Sequence, residues 1–255
     1  MQTFEPLTFH HSPARLYEQA DSTNRLALEW AREGAPHGAL VMAKTQLSGR
    51  GRTGRGFESP PGGLYMSVVL DAPADKIGQI TTLAGVAVCR AADSLRGIPL
   101  RIKWVNDCMK DGLKAGGILA EGLMQLEKPK TVVGIGVNLS PLGLSGSLQG
   151  KAGALFEDIS PITPLELAKK IHEELLQGYP LMPGHMEEYR QRCLTLGKQV
   201  AFPWQGQQRT GIATNVLDSG ALVVEMDSLS AGEPREHITL LAGEVSVRSP
   251  SGAYW

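Results

Sequence analysis

The sequence predicts an α+β chain, with a large unit of irregularly mixed helices and strands followed by a small all-β unit. Three observations carry this. Apolar stripes of helical period lie beside short runs rich in β-formers. Gly- and Pro-rich stretches separate them at uneven intervals, so no regular βα repeat emerges. After Gly197 only short alternating runs remain. The length of 255 residues suits one large domain and a small second one, expected as 1–196 and 197–255.

Asp21 or Ser22 can cap a helix through Leu26, Ala27, Trp30 and Ala31, with Gly34 as its stop. Residues 38–43 and 64–70 read as strands, and the Gly/Pro-rich segment between them reads as a loop. From Ile77 to Leu95 the apolar residues form a helical stripe. Runs 100–104, 116–124 and 131–139 read as strands, with CMKDG as the hairpin turn between the first two. Residues 140–155 read as a Gly/Ser-rich surface loop. Thr163-Pro164-Leu165-Glu166 has the cap, first-turn proline and third-position glutamate of a helix start. That helix should reach about Gln177, and a second should run from Gly184 to Cys193. Asp218-Ser219-Gly220 then separates two apolar runs as a hairpin turn would, within a barrel-like unit of about 50 residues.

Apolar residues make up 42% and charged residues 20%, an ordinary globular balance. Twenty-five basic against twenty-six acidic residues give −1, unlike a whole-surface nucleic-acid or membrane binder. Cys89, Cys108 and Cys193 are too few and too scattered for a disulfide framework. No signal peptide or apolar run of about 20 residues is visible, so a soluble cytoplasmic protein is expected.

Four motifs carry chemistry. GRGRTGRG, residues 49–56, offers glycines for close backbone approach and arginine forks for an anion. It is neither a P-loop nor a GxGxxG helix start. It suits phosphate, nucleic acid, or a merely solvated loop. Lys103-Trp104-Val105-Asn106-Asp107, followed by Lys114-Ala115-Gly116-Gly117, places two lysines near each other. They need an acid such as Asp107 or an anionic ligand to share, although a surface hairpin with a salt bridge fits as well. Asp21-Ser22-Thr23-Asn24 is a helix cap or a holder for a polar head. The glycines of Gly134-Ile135-Gly136-Val137-Asn138 mark a bulge or a close approach. The six histidines lack metal-ligand spacing, no GxSxG is present, and Cys108 reads better as a small turn residue than as a nucleophile.

In this order, DSTN, Gln46, GRGRTGRGF, KWVND, KAGGILAE and GIGVNL resemble the catalytic domain of biotin protein ligases. The resemblance spans residues 15 to about 140. It continues more loosely through LDSGALVVE and GEVSVR, which look like the family's SH3-like barrel. It implies a mixed sheet with flanking helices, of the class II aminoacyl-tRNA-synthetase-like type. It also implies a two-step reaction. Biotin and ATP form biotinyl-5′-AMP and pyrophosphate, and biotin then passes to a lysine of a carboxylase's biotin carboxyl carrier protein. Magnesium is expected with ATP, and no residue is assigned as a metal ligand.

By resemblance, Ser22, Thr23 and Asn24 contact the biotin head, and Gln46 lines the pocket near the carboxylate. Arg50, Gly51 and Arg52 close over the biotin tail and phosphates. Lys114 bridges the biotin carboxylate and the α-phosphate. Arg55, Phe57, Lys103, Asn106 and Asn138 serve the nucleotide, with Asn138 facing the adenine. Asp107 holds Lys114, helps magnesium, or takes a proton from the incoming amine. Two positions depart from the family pattern. Val105 replaces the proline of KWPND, which frees the turn, and Phe57 stands where tryptophan is usual.

About twenty residues precede DSTN, so the monofunctional type without a DNA-binding domain is expected. Family members can dimerise along the sheet edge, so a homodimer is compatible with this reading. The alternatives are a lipoate or octanoate ligase and, further off, a nucleic-acid-binding protein.

Overall fold

A computed structural model describes residues 3–124, 128–141, 146, 150–227, 236–241 and 249–250. It contains two sheets. The first has eight strands in the order β1-β2-β3-β4-β8-β7-β6-β5. These are β1 Glu5–Phe9, β2 Ser12–Ala20, β3 Leu40–Gln46, β4 Leu64–Leu70, β5 Arg101–Lys103, β6 Asp107–Lys110, β7 Leu113–Leu123 and β8 Lys130–Val137. Only β2 and β3 run parallel, so the sheet is mixed. The second sheet is a four-stranded antiparallel meander, consistent with an SH3-like unit. Its strands are β9 Gln199–Trp204, β10 Gln207–Val216, β11 Leu222–Met226 and β12 His237–Leu240. GEVSVR and most of the 140–149 loop lie outside the described residues.

Helix α1, Thr23–Arg32, connects the parallel pair. It packs Ala27 and Ala31 on Val41, Val69 and Val132 of one sheet face. The opposite face carries α2 Ile77–Arg96, α3 Pro164–Gly178 and α4 Met186–Arg192 over the main core. Helix α2 ends at Gly97, whose left-handed φ of 62° lets its N–H reach Asp93 O at 2.6 Å. Helix α3 starts with the expected capping box: the Glu166 N–H donates to Thr163 Oγ1, and the Thr163 N–H to Glu166 Oε2. Among the described residues no helix is long and apolar enough to cross a membrane.

Two expectations need correction. Strands β1 and β2 precede Asp21, where the sequence pattern marks nothing, and they turn on His10 and His11, both with positive φ. CMKDG is not one turn. Asp107–Lys110 is a strand, and only Asp111 and Gly112, with φ of 49° and 78°, make the two-residue turn.

His185, just before α4, is buried with Nε2 2.8 Å from Thr82 Oγ1 of α2. Burial, reinforced by Arg90 and opposed by Asp218 and Glu188, pushes its pKa down to about 4. The unfolded chain takes up this proton near pH 6.5, where the folded chain refuses it. The contribution of His185 to stability is therefore constant above pH 6.5 and falls as pH drops toward 4, by up to roughly 3 kcal/mol. His185→Gln should flatten the pH 7 to 4.5 difference in urea midpoint. An equal difference in the variant would place the acid sensitivity elsewhere.

Candidate active site

On the α1 face, strand registers align one row across the sheet: Lys103, Asp107, Gly117, Gly136, Tyr65 and Ala43. Lys114 reaches this face because a β-bulge shifts register between Cys108 and Met109, leaving Ala115 as the extra residue. Lys114 Nζ then pairs with Asp107 Oδ1 at 2.6 Å. The glycines of β7 and β8 form the floor. A Cβ on Gly136 would sit 2.6 Å from the Phe57 ring, and one on Gly134 would sit 2.0 Å from Asn24 Oδ1. Phe57 lies edge-on to Tyr65, with Lys114 Nζ 5.8 Å from its ring centre.

Above this floor lies a cavity of about 740 Å³. Arg50, Arg52, Arg55, Lys103, Lys114 and Lys151 line it, and among the described lining residues Asp107 is the one carboxylate. Such a cavity is built for a polyanion. Burial lowers the Arg52 pKa, partly offset by Asp107, and Arg52 donates to Asn106 Oδ1 at 3.1 Å. Asn106 is held in turn by Ile118, through bonds from Asn106 Nδ2 to Ile118 O and from Ile118 N to Asn106 O.

The other end of the cavity is neutral and polar. Ser22, Thr23 and Asn24 are all buried and line it with Gln46. Ser22 does not cap α1 with its side chain, contrary to expectation. Gln46 does so from β3, its Oε1 accepting from Thr23 N at 2.8 Å and Thr23 Oγ1 at 3.1 Å, while Nε2 donates to Ser59. The Ser22 hydroxyl therefore stays out of the cap. Asn24 Oδ1 accepts from Ser67 Oγ at 2.6 Å, and its Nδ2 donates to Glu121 Oε2 at 2.8 Å.

Fourteen residues carry the expected site, and the cavity lining gathers all of them except Asn138. Asn138 lies beside the lining and bonds protein groups. Its Nδ2 donates to Gly153 O and its backbone bonds Ala115 and Leu155, stapling the 151–155 segment behind Lys114. The loosened turn expected from Val105 is also corrected. Val105 is buried, and Tyr189 donates to its carbonyl. Trp104 N donates to Thr195 Oγ1, and its indole N–H donates to Gly220 O in the turn between β10 and β11. Cys108 is buried beside Cys89, which pushes its thiol well above the usual range, so it cannot serve as a nucleophile.

Sequence reasoning missed Ser67, Glu121 and Lys151. Ser67 and Glu121 are lone polar residues in apolar strand runs, which was the available signal. Lys151 follows a Gly-rich stretch and gave none. Its carbonyl accepts from Lys114 N at 3.0 Å.

The biotin/lipoate A/B protein ligase family matches residues 16–138. The chain is 41% identical over 226 residues to the bifunctional ligase/repressor BirA of Bacillus subtilis, a match covering 82% of this chain and 68% of that one. It is 30% identical over 234 residues to the biotin–[acetyl-CoA-carboxylase] ligase of Mycobacterium tuberculosis, covering 84% and 85% respectively. The chain belongs to the biotin protein ligases. The biotin protein ligase of Aquifex aeolicus, solved in complex with biotin and ATP, superposes with a TM-score of 0.74 at 27% identity, covering 92% of this chain and 98% of that one. This ligase has the mixed sheet with flanking helices of a biotin ligase catalytic domain.

Proposed function

We propose that this ligase activates biotin with ATP and passes it to a lysine of a biotin carboxyl carrier protein. One observation carries the reading. A single cavity joins six cations to a buried neutral cluster, Ser22, Thr23 and Asn24, and Cys108, the one thiol beside it, is sealed in the core. The cluster suits an uncharged ureido head, and the cations suit a carboxylate meeting a triphosphate.

In the first step the biotin carboxylate oxygen attacks the α-phosphorus, and the bond to pyrophosphate breaks. Lys114, Arg50 and Arg52 screen the two anions and follow the charge onto the transferring phosphate. Arg55, Lys103 and Asn106 hold the nucleotide side, Gln46 and Gly51 line the biotin tail, and Phe57 offers a ring to the adenylate. In the second step the carrier amine attacks the acyl carbon, and the bond to AMP breaks. Neither step needs a protein nucleophile.

Magnesium enters with ATP. Among the described residues no group of three His, Cys, Asp or Glu side chains could hold it, and Asp107 is paired with Lys114. The phosphates of ATP would carry the ion. The 2.6 Å ion pair supports Asp107 as the residue that holds Lys114. Asp107→Asn should then slow adenylation more than single-turnover transfer from preformed biotinyl-AMP. The opposite ordering would make Asp107 the base for the incoming amine.

Residues 1–196 carry the chemistry in this reading, and 197–255 brace it through Gly220. Three buried free cysteines support a reducing, cytoplasmic setting. The test is pyrophosphate exchange into ATP with biotin, lipoate and octanoate offered separately. Exchange with biotin alone supports the reading. Exchange with lipoate or octanoate alone moves the chain to the sister activity, since neither acid has a ureido group for the neutral cluster.

A further inference from the structure

Two residues of the proposed biotin site meet on a carboxylate outside the cavity lining. Glu121 of β7 shares the sheet face of Gly117 and Leu119, and its side chain is 24% exposed. Its Oε2 accepts from Asn24 Nδ2 at 2.8 Å, and its Oε1 lies 3.2 Å from Arg50 NH2. Asn24 is otherwise fixed by Ser67 and the Leu119 carbonyl. Arg50 is half-exposed on a Gly-rich loop whose backbone bonds around it, Gly51 N to Arg55 O and Phe57 N to Gly49 O, close the loop on itself, while Ser48 N to Asp21 O and Arg52 to Asn106 tie the loop down on either side.

We propose that Glu121 is a positioning residue that links the neutral head cluster to Arg50 and holds that guanidinium at the cavity before substrate arrives. This rests on the reading of the site as a biotin pocket. The chemistry is a division of donors. One carboxylate oxygen occupies part of the Arg50 fork and leaves the remaining N–H groups for a substrate carboxylate. An arginine already placed loses less rotamer freedom on binding than a free one. The second oxygen anchors the carboxylate to Asn24, so the Arg50 guanidinium is referenced to the floor of the pocket as well as to the loop. Glu121 touches neither substrate and acts through Arg50 and Asn24.

Glu121→Gln separates the two arms. Its amide oxygen still accepts from Asn24, while its NH2 group faces Arg50 and cannot accept. In pyrophosphate exchange the variant should raise KM for biotin about tenfold, with kcat and KM for ATP within about threefold. In an Arg50→Ala background the same change should add less than twofold, because its target is gone. In ligand-free protein, trypsin should cut after Arg50 several times faster in the variant. Unchanged trypsin cleavage, or full additivity with Arg50→Ala, would overturn the proposal. The trypsin arm involves no biotin. Wild-type protein that fails to exchange with biotin while Glu121→Gln speeds cleavage would sink the biotin reading and leave the link standing. Should Glu121→Gln not fold, as judged by circular dichroism, Glu121→Asp takes its place. It keeps the charge but is too short to span both partners, and it should show the same faster cleavage.

Discussion

Lys114→Ala is expected to cut adenylation at least tenfold, and on the order of 10²–10³-fold if charge builds on the transferring phosphate. Lys114 is brought onto the site face by the bulge, tethered through its backbone to Lys151 and Gly153, and paired with Asp107. Removing it costs the site one cation and leaves Asp107 facing the incoming anions, so the loss exceeds that of one hydrogen bond. Biotin-dependent pyrophosphate exchange reads the first step alone. A rate within twofold of wild type would remove Lys114 from the chemistry.

Gly134→Ala should raise KM for biotin at least tenfold and spare KM for ATP. The added Cβ would lie 2.0 Å from Asn24 Oδ1 and 2.8 Å from its Cγ, distances at which something must move. Strand β8 is central and paired on both sides, so Asn24 yields. In moving it loses Ser67, Leu119 and Glu121 together. A stability cost of about 1–3 kcal/mol accompanies the change. Titration calorimetry with biotin separates affinity from stability. Unaltered biotin affinity would take Asn24 out of the head pocket.

Much of the fold was legible because its signals are local. Strand β4 is an apolar run interrupted only by Ser67, and it matches the expected 64–70. Helix α2 announces itself by its stripe and by Gly97, and α3 by its capping box. The N-terminal hairpin was not legible, because Pro6 and Pro13 interrupt its alternation and its turn uses two histidines in place of glycine or asparagine. Strand β6 is four residues long and resembled a turn until both neighbours were placed. In the site, the cations and glycines were readable as types suited to anions. The polar contacts beneath them were not. Gln46 caps α1 from 23 residues away, and Asn24 finds Glu121 across 97. The bond from the Asn138 amide to Gly153 is another long-range contact that local sequence does not reveal.

The hairpin that carries Lys114 also has an arithmetic. With two residues in its turn, Lys110 pairs with Leu113, and the extra residue is absorbed at Ala115. With three residues in the turn and no bulge, Lys110 would pair with Lys114 instead. Every odd–even assignment beyond would stay the same, but the ammonium of Lys114 would emerge on the α2 side, beside that of Lys110 and away from the cavity. The side of the sheet on which this cation appears is therefore chosen at Asp111 and Gly112, at the far tip of the hairpin, by two residues that touch no substrate. Their willingness to adopt left-handed backbone is a parity switch for this one cation, and a β-branched residue at Gly112 would press on that switch without altering a single residue of the cavity.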